Sequence, residues 1–347
     1  MKNLSYLLLA LALFTFSAYA ETEPNDDAND ANVLVLNGND IGNLTSPDNN
    51  DRWKVTITQD GKLTINTTSG LDVCVISYLY DQNTTTGLAN TYPPPCTETN
   101  RTMTYNNLMP GTYYIKCTRY SGNGAYTISN QFTPASLSND TEPNDMSSQA
   151  QVLPVNGSMT GHLGYYGNGI TDMNDWWKIT ILEDGKLTIN TLSNLTLCVV
   201  SYLYDQNATT ELTNTYPPSC SDTNRTMIYN NLTPGTYYIK SNRLSGYGSY
   251  TIASQFTPAS LPNDTEPNDI SSEAQVLPVN GSMTGHLGYY GNGITDMNDW
   301  WKITILVDGK LTINTLSNLS LCVVSYLYDQ NATTELANTY PPPLFRY

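Results

Sequence analysis

Basic residues, histidine and phenylalanine are scarce in this sequence, and each scarcity removes a class of function. Fifteen Lys and Arg stand against 31 Asp and Glu, a net charge of −16. That balance argues against nucleic acid and anionic membrane surfaces as partners and favours cations. The two histidines, His162 and His286, share one context, GHLG, and no H-E-x-x-H, G-x-S-x-G or phosphate-binding glycine loop occurs. No C-x-x-C pair occurs and no histidine lies near the cysteines, so a thiolate metal site is disfavoured. Charged residues make up only 13%, which leaves solubility to Asn, Thr, Ser and Tyr. Five Phe against 26 Tyr point to half-wet strand faces, where an amphipathic ring suits both sides.

One long apolar run is present, at the start. In residues 1–20 Lys2 gives a basic end, Leu7 to Phe16 an apolar stretch, and Ala18-Tyr19-Ala20 a small-x-small site. This predicts a secretory signal peptide cleaved near Ala20 and a secreted or extracellular mature chain. A membrane anchor is the weaker reading, because the stretch is short and polar sequence follows at once. No later run is long and apolar enough to span, so no membrane insertion is expected.

Internal repetition sets the organisation. Trp53, Trp177 and Trp301 recur at one interval, and Cys74, Cys198 and Cys322 at the same one. Repeats two and three differ at five positions up to the PP pairs: Met146/Ile270, Gln149/Glu273, Glu183/Val307, Thr196/Ser320 and Thr213/Ala337. Repeat one is more diverged and lacks five residues where repeat two has GYYGNG. Repeat three reaches Tyr340 and then reads PPPLFRY, without the segments that follow in repeat two. The expected units are therefore 21–134, 138–258 and an incomplete 262–347.

Strand signals recur within each unit. Trp53 to Ile57 alternates apolar and polar, Asp60-Gly61 reads as a hairpin turn, and Leu63-Thr64-Ile65 resumes the alternation. Val73 to Tyr80 reads as a more buried strand, and Thr102 to Tyr105, Tyr113 to Lys116 and Tyr126 to Ile128 complete the set. Leu108-Met109-Pro110-Gly111-Thr112-Tyr113, repeated at 232–237, has the form of a tyrosine corner. The fold class expected is all-β, tandem antiparallel β-sandwich domains with the third truncated. The linkers at 132–139 and 256–263 are short, so the units are expected to sit like beads with limited freedom.

Cys74 and Cys96 share their spacing with Cys198 and Cys220, which in an exported chain predicts one disulfide per unit. Cys117 is matched by Ser241, and Cys322 has Leu344 at its partner's position. His162 and His286 are matched by Asn43 in repeat one, and a catalytic base would not be dispensable between duplicated units. Both histidines are expected to be surface-loop residues, and the chain is expected not to be an enzyme. Paired carboxylates for hydrolysis have no signature of their own, but acids in repeated loops fit binding better than chemistry.

The acids concentrate in a repeated hexapeptide, ETEPND at 21–26 and DTEPND at 140–145 and 264–269. Proline biases the preceding Glu23 to an extended form, where side chains two apart share a face. Glu21 and Glu23 then present two carboxylates together, and Asn25-Asp26 favours a turn that folds in two more oxygens. Four oxygens begin the set of six to eight that Ca²⁺ takes. Asp48 and Asp51 precede Trp53 and recur as Asp172 and Asp175, then Asp296 and Asp299. The alternative is that Asn25-Asp26 caps a short helix leading toward Ala31, where acids also suit the dipole. The threefold pairing of hexapeptide and aspartate loop favours Ca²⁺.

Together, E-P-N-D, D-x-x-D before an aromatic strand, D-G-K-L, L-x-P-G-T-Y-Y-I and G-x-Y-T-I resemble the bacterial pre-peptidase C-terminal domain family, related to the collagen-binding domain of bacterial collagenases. The resemblance covers 21–132, 138–256 and most of 262–343. It implies a jelly-roll-like sandwich attached to secreted proteins. It also implies calcium held by Glu21, Glu23, Asn25, Asp26 and Asp51; by Asp140, Glu142, Asn144, Asp145 and Asp175; and by Asp264, Glu266, Asn268, Asp269 and Asp299. Asp in place of the first Glu shortens one ligand arm in repeats two and three. No peptidase domain accompanies these units.

Three functions compete at this level. The first is a secreted, non-catalytic, calcium-stabilised binding protein contacting an extracellular polymer, matrix or cell surface. The second is a structural spacer or surface-layer component, or a non-catalytic fragment of a larger secreted peptidase. The third is a hydrolase using loop carboxylates. Tyr113, Tyr120 or the pair Tyr165 and Tyr166 are candidate ligand contacts, with core packing the commoner fate of strand tyrosines.

Overall fold

The computed structural model describes residues 21–92, 96–216 and 219–340. The expected signal peptide and Leu344 lie outside these residues. Repeat one contains β1 (Asn32–Val33), β2 (Asn39–Leu44), β3 (Asn50–Ile57), β4 (Gly61–Ser69), β5 (Val73–Tyr80), β6 (Gly87–Asn90), β7 (Asn100–Leu108), β8 (Gly111–Gly122) and β9 (Gly124–Pro134). One sheet runs β1-β3-β8-β5-β6, and β7-β4-β9-β2 form the other. All these pairs are antiparallel except β1 with β3. The chain is all-β, as its alternating patterns predict.

Alternation sends Asp51, Trp53, Val55 and Ile57 of β3 inward, and Leu63 and Ile65 of β4 inward from the other sheet. Trp53, Val55 and Leu63 are fully buried in one cluster with Leu108, Tyr113 and Ile115. Asp60-Gly61 is therefore not a hairpin turn. β3 and β4 never pair; the bend at 58–60 carries the chain from one sheet to the other. Alternation fixes which face of a strand is buried, not whether its successor lies beside it or across the core. The tyrosine corner forms in both complete repeats: Tyr113 Oη donates to Met109 O at 2.8 Å, and Tyr237 Oη to Thr233 O at 2.9 Å.

Repeat two reproduces this with β10 (Gln151–Val152), β11 (Ser158–Leu163), β12 (Tyr166–Gly167), β13 (Ile170–Thr171), β14 (Asn174–Ile181), β15 (Gly185–Ser193), β16 (Leu197–Tyr204), β17 (Glu211–Asn214), β18 (Asn224–Leu232), β19 (Gly235–Gly246) and β20 (Gly248–Pro258). Its sheets run β10-β14-β19-β16-β17 and β11-β20-β15-β18. The small hairpin β12–β13, built from the inserted residues, instead joins repeat one, pairing Tyr166 with Leu108 at the end of β7.

Among the described residues, repeat three forms β21 (Gln275–Val276), β22 (Tyr290–Gly291), β23 (Ile294–Thr295), β24 (Trp301–Lys302), β25 (Tyr326–Tyr328) and β26 (Glu335–Asn338). β22 extends the second repeat's sheet beside β18. Ile305 and Ile313, whose counterparts Ile181 and Ile189 are buried in strands of repeat two, stand 53% and 37% exposed. Among the described residues no helix is long and apolar enough to cross a membrane.

Disulfides join Cys74 to Cys96 and Cys198 to Cys220. Cys117 is free and buried, and Cys322 free and exposed. Burial pushes the Cys117 thiol up to about 12, so it behaves as a small apolar side chain with a weak contact to Ser77 Oγ at 3.6 Å. Each disulfide closes a loop of 22 residues. The double substitution Cys198→Ser, Cys220→Ser is expected to cost about 3 kcal/mol in urea unfolding of repeat two; an unchanged midpoint would contradict this.

Candidate metal centre

Each hexapeptide is tied to the strand that carries its aspartate. Arg52 N donates to Asn25 O at 3.0 Å, Trp176 N to Asn144 O at 3.0 Å, and Trp300 N to Asn268 O at 3.0 Å. These amides immediately follow Asp51, Asp175 and Asp299, so each asparagine lies beside its aspartate. The hexapeptide then folds on itself. Asn25 N donates to Glu23 Oε2 at 3.0 Å, Asn144 N to Glu142 Oε2 at 3.1 Å, and Asn268 N to Glu266 Oε2 at 3.1 Å. The asparagine side-chain amide donates to the first acid: to Glu21 at 3.3 Å, to Asp140 at 2.6 Å and to Asp264 at 2.6 Å. The shorter Asp arm keeps the same partner as Glu21.

One carboxylate oxygen from each of Glu21, Glu23 and Asp51 lies within 4.8 Å of the others, and the same holds for Asp140, Glu142, Asp175 and for Asp264, Glu266, Asp299. Asn25, Asp51, Asn144, Asp175 and Asn268 are wholly buried. Their Oδ1 atoms have no hydrogen-bond partner in the structure. Buried oxygens left without donors are costly unless something else satisfies them. Asp140, Asp172 and Asp299 each leave an Oδ1 in the same condition, and Asp296 an Oδ2. Carboxylates and an amide carbonyl, with no nitrogen or sulfur donor, suit a hard cation.

The core holds the buried aspartate in place. Trp53 Nε1 donates to Tyr126 Oη at 2.8 Å, and Tyr126 Oη donates to Asp51 Oδ2 at 2.6 Å. In repeat two Trp177 Nε1 donates to Tyr250 Oη at 2.9 Å and Tyr250 Oη to Asp175 Oδ2 at 2.6 Å. One oxygen of each aspartate is thus fixed by the core, and the other has no hydrogen-bond partner. The G-x-Y-T-I pattern marked these tyrosines as strand residues and concealed this role.

Of the remaining acids, Asp26, Asp48, Asp145 and Asp269 stay outside the tight triads. Asp48 Oδ1 accepts from Asn50 N at 3.2 Å, and Asp26 offers its backbone carbonyl to Arg52 Nε at 3.3 Å. Asp172 is 5% exposed and faces Glu142, Asp140 and Asp145. The capping alternative does not hold: the short 3-10 helices begin after Asp27, Met146 and Ile270, and no side chain caps them. Neither histidine lies at the surface. His162, on β11, is 2% exposed and bonds Asp60 at 2.6 Å, and His286, in an irregular segment, is 8% exposed and bonds Asp184 at 2.6 Å. Tyr113 and Tyr165 are buried, and Tyr166 packs on Tyr105 of repeat one, so only Tyr120 stays exposed among the tyrosines considered as ligand contacts.

No family model matches the chain, and no curated protein matches it. Among solved structures it is similar to the pre-peptidase C-terminal domain of a Bacillus anthracis collagenase, at 19% identity and a TM-score of 0.27, over 32% of this chain and 100% of that one. It is also similar to a protein from Eubacterium rectale described as secreted, at 10% identity and a TM-score of 0.23, over 67% and 81% of the two chains. Tripeptidyl peptidase 2 gives 10% identity and a TM-score of 0.21, over 65% of this chain and 24% of that one. These scores are low, so the fold rests on the sheets themselves and the site on its own geometry.

Burial raises the carboxyls, and mutual repulsion raises them further. Burial lifts Asp140 to about 6 although the bond from Asn144 opposes the shift, and burial and then neighbouring acids lift Glu142 to about 7 and Asp172 to about 9. Asp51 rises to about 8 through burial and Glu21, although Tyr126 opposes the shift, and Asp175 stands well above the usual range. Such groups bind more protons folded than unfolded, where they titrate near pH 4. The stability these groups contribute without metal is therefore expected to be greatest below about pH 4 and to fall as pH rises from there through about 6 to 9. Chemical unfolding in chelator at pH 5 and pH 8 checks this; greater stability at pH 8 contradicts it. Tyr250→Phe strips a donor from buried Asp175 and an acceptor from Trp177. It is expected to cost about 1–3 kcal/mol at acid pH, read by the same unfolding.

Proposed function

We propose that the chain is an exported, non-catalytic binding protein whose repeats are each stabilised by Ca²⁺. The observation that carries this reading is the set of buried, unpartnered Oδ1 atoms beside three clustered carboxylates, at equivalent positions in each repeat. An all-oxygen donor set with several carboxylates and one amide oxygen favours Ca²⁺, which accepts variable coordination, over Mg²⁺, which demands a near-ideal octahedron. Bound there, the ion supplies charge compensation and links the hexapeptide to the sandwich. Glu23 and Asn25 bring oxygens from the hexapeptide, and Asp51 brings one from the core. Glu142, Asn144 and Asp175 do the same in repeat two.

Export is supported by the apolar leader pattern and by the two disulfides, which persist in oxidising compartments. The motif resemblance to pre-peptidase C-terminal domains points the same way, toward an accessory module that contacts an extracellular polymer, matrix or cell surface. A spacer role is the second reading, favoured by the direct contact of each repeat with the next. Pull-downs of the full chain on collagen, polysaccharide and cells separate the two; retention supports binding, and no retention on any of them supports the spacer.

The metal assignment is tested by calorimetric titration and melting of the full chain with Ca²⁺ at pH 7.5. Binding with a raised melting temperature is expected. Asp175→Asn retains an acceptor for Tyr250 while removing a ligand charge, so it should weaken the repeat-two site at least about tenfold, a loss of roughly 1.4 kcal/mol. No heat and no melting shift in the parent chain would sink the assignment.

A further inference from the structure

The string HLGYYGNG is common to repeats two and three and missing from repeat one, and the candidate metal centre uses none of its side chains. The structure places it against the preceding repeat both times. His162 Nδ1 faces Asp60 Oδ2 at 2.6 Å, and its Nε2 faces Leu137 O of the linker at 2.8 Å. Tyr166 O accepts from Met109 N at 2.9 Å and from Tyr113 Oη at 3.1 Å. Asn107 Nδ2 donates to Gly164 O at 2.5 Å, and Asn168 N donates to Gln82. The Tyr105 and Tyr166 rings lie 6.4 Å apart.

Every contact is repeated one unit further on. His286 Nδ1 faces Asp184 Oδ2 at 2.6 Å and its Nε2 faces Leu261 O at 2.8 Å. Tyr290 O accepts from Thr233 N at 3.1 Å and from Tyr237 Oη at 3.0 Å. Asn292 N donates to Gln206 Oε1 at 2.7 Å, and the Tyr229 and Tyr290 rings lie 6.4 Å apart. β7 and β18 would otherwise end their sheets as open edges, and the incoming hairpin covers the Leu108 and Leu232 ends. The tyrosine corner serves twice, since its hydroxyl fixes its own turn and also bonds the next unit.

We propose that residues 161–169 and 285–293 are a coupling element whose partner is the preceding unit of the same chain, and that it fixes the tandem units as a rigid, directional rod. Direction follows from the residues. Repeat one supplies the receiving groups Asp60, Gln82, Asn107, Met109 and Tyr113, yet has Asn43 where the histidine stands and no inserted hairpin. It accepts a following unit and cannot dock onto a preceding one. Repeat two does both. A second copy of the chain therefore cannot add through its first repeat.

Hydrogen exchange on the full chain tests this at two amides, Met109 and Thr233, whose carbonyl partners belong to the next unit. Both are expected to be protected in the parent protein. His162→Asn installs the repeat-one residue. Gly167→Val adds a side chain where a Cβ already meets Met109 Cβ at 2.8 Å, so it wedges the contact without touching the histidine. In either variant Met109 exchange should quicken about tenfold or more, the worth of a typical buried hydrogen bond. Thr233 and the core amides of β3 and β8 should stay protected, and small-angle scattering should broaden the distance distribution. If His162→Asn also loses the core amides, Gly167→Val gives the reading. An unprotected Met109 in the parent protein, or one unchanged in both folded variants, would overturn the proposal.

Discussion

A hydrogen-bonded line of three side chains, Trp53 to Tyr126 to Asp51 and Trp177 to Tyr250 to Asp175, connects the centre of each complete sandwich to its acidic edge. An aspartate at an inward-facing strand position would be expelled from a core if both oxygens lacked donors. The tyrosine hydroxyl supplies one donor and is itself held by the indole. The second oxygen then has a fixed place beside the hexapeptide, whose asparagine is pinned by the amide that follows the aspartate. The fold thus holds the oxygens in position without satisfying them, which is the arrangement a cation would complete.

Much of this was legible in the sequence because it is periodic. Alternation from Asp51 through Ile57 marks the inward face, and the repeated acids before each tryptophan mark where that face meets solvent. Two features escaped for physical reasons. Tyr126 lies 75 residues from Asp51 and reads as an ordinary strand tyrosine, so its hydrogen bond depends on sheet order, which alternation does not encode. The Asp60 bend looks like a hairpin because both flanks alternate, and only the pairing of β4 with β7 and β9 shows that it crosses between sheets.

The histidines depart furthest from their expected place, since both are buried. Their absence from repeat one excludes a role shared by all units, but it does not point to burial. The same absence gains meaning once His162 is seen against Asp60 of the unit before it, with the inserted hairpin on the edge of that unit's sheet. Short linkers with proline and small polar residues describe reach, not orientation. Repeat three shows the converse dependence. Its hexapeptide and docking hairpin keep their form, while Trp301 is only half-buried and its sheets reduce to two-stranded pieces. Local hydrogen bonds suffice for the acidic turn; the tryptophan core needs partner strands.

The most direct measurement is an anomalous difference map from crystals of the full chain grown with Ca²⁺ at neutral pH. The account predicts a peak among Asn25 Oδ1, Asp51 Oδ1 and the Glu21 and Glu23 carboxylates, and a second among Asn144, Asp175, Asp140 and Glu142. Ordered water and no anomalous signal at both places would contradict it.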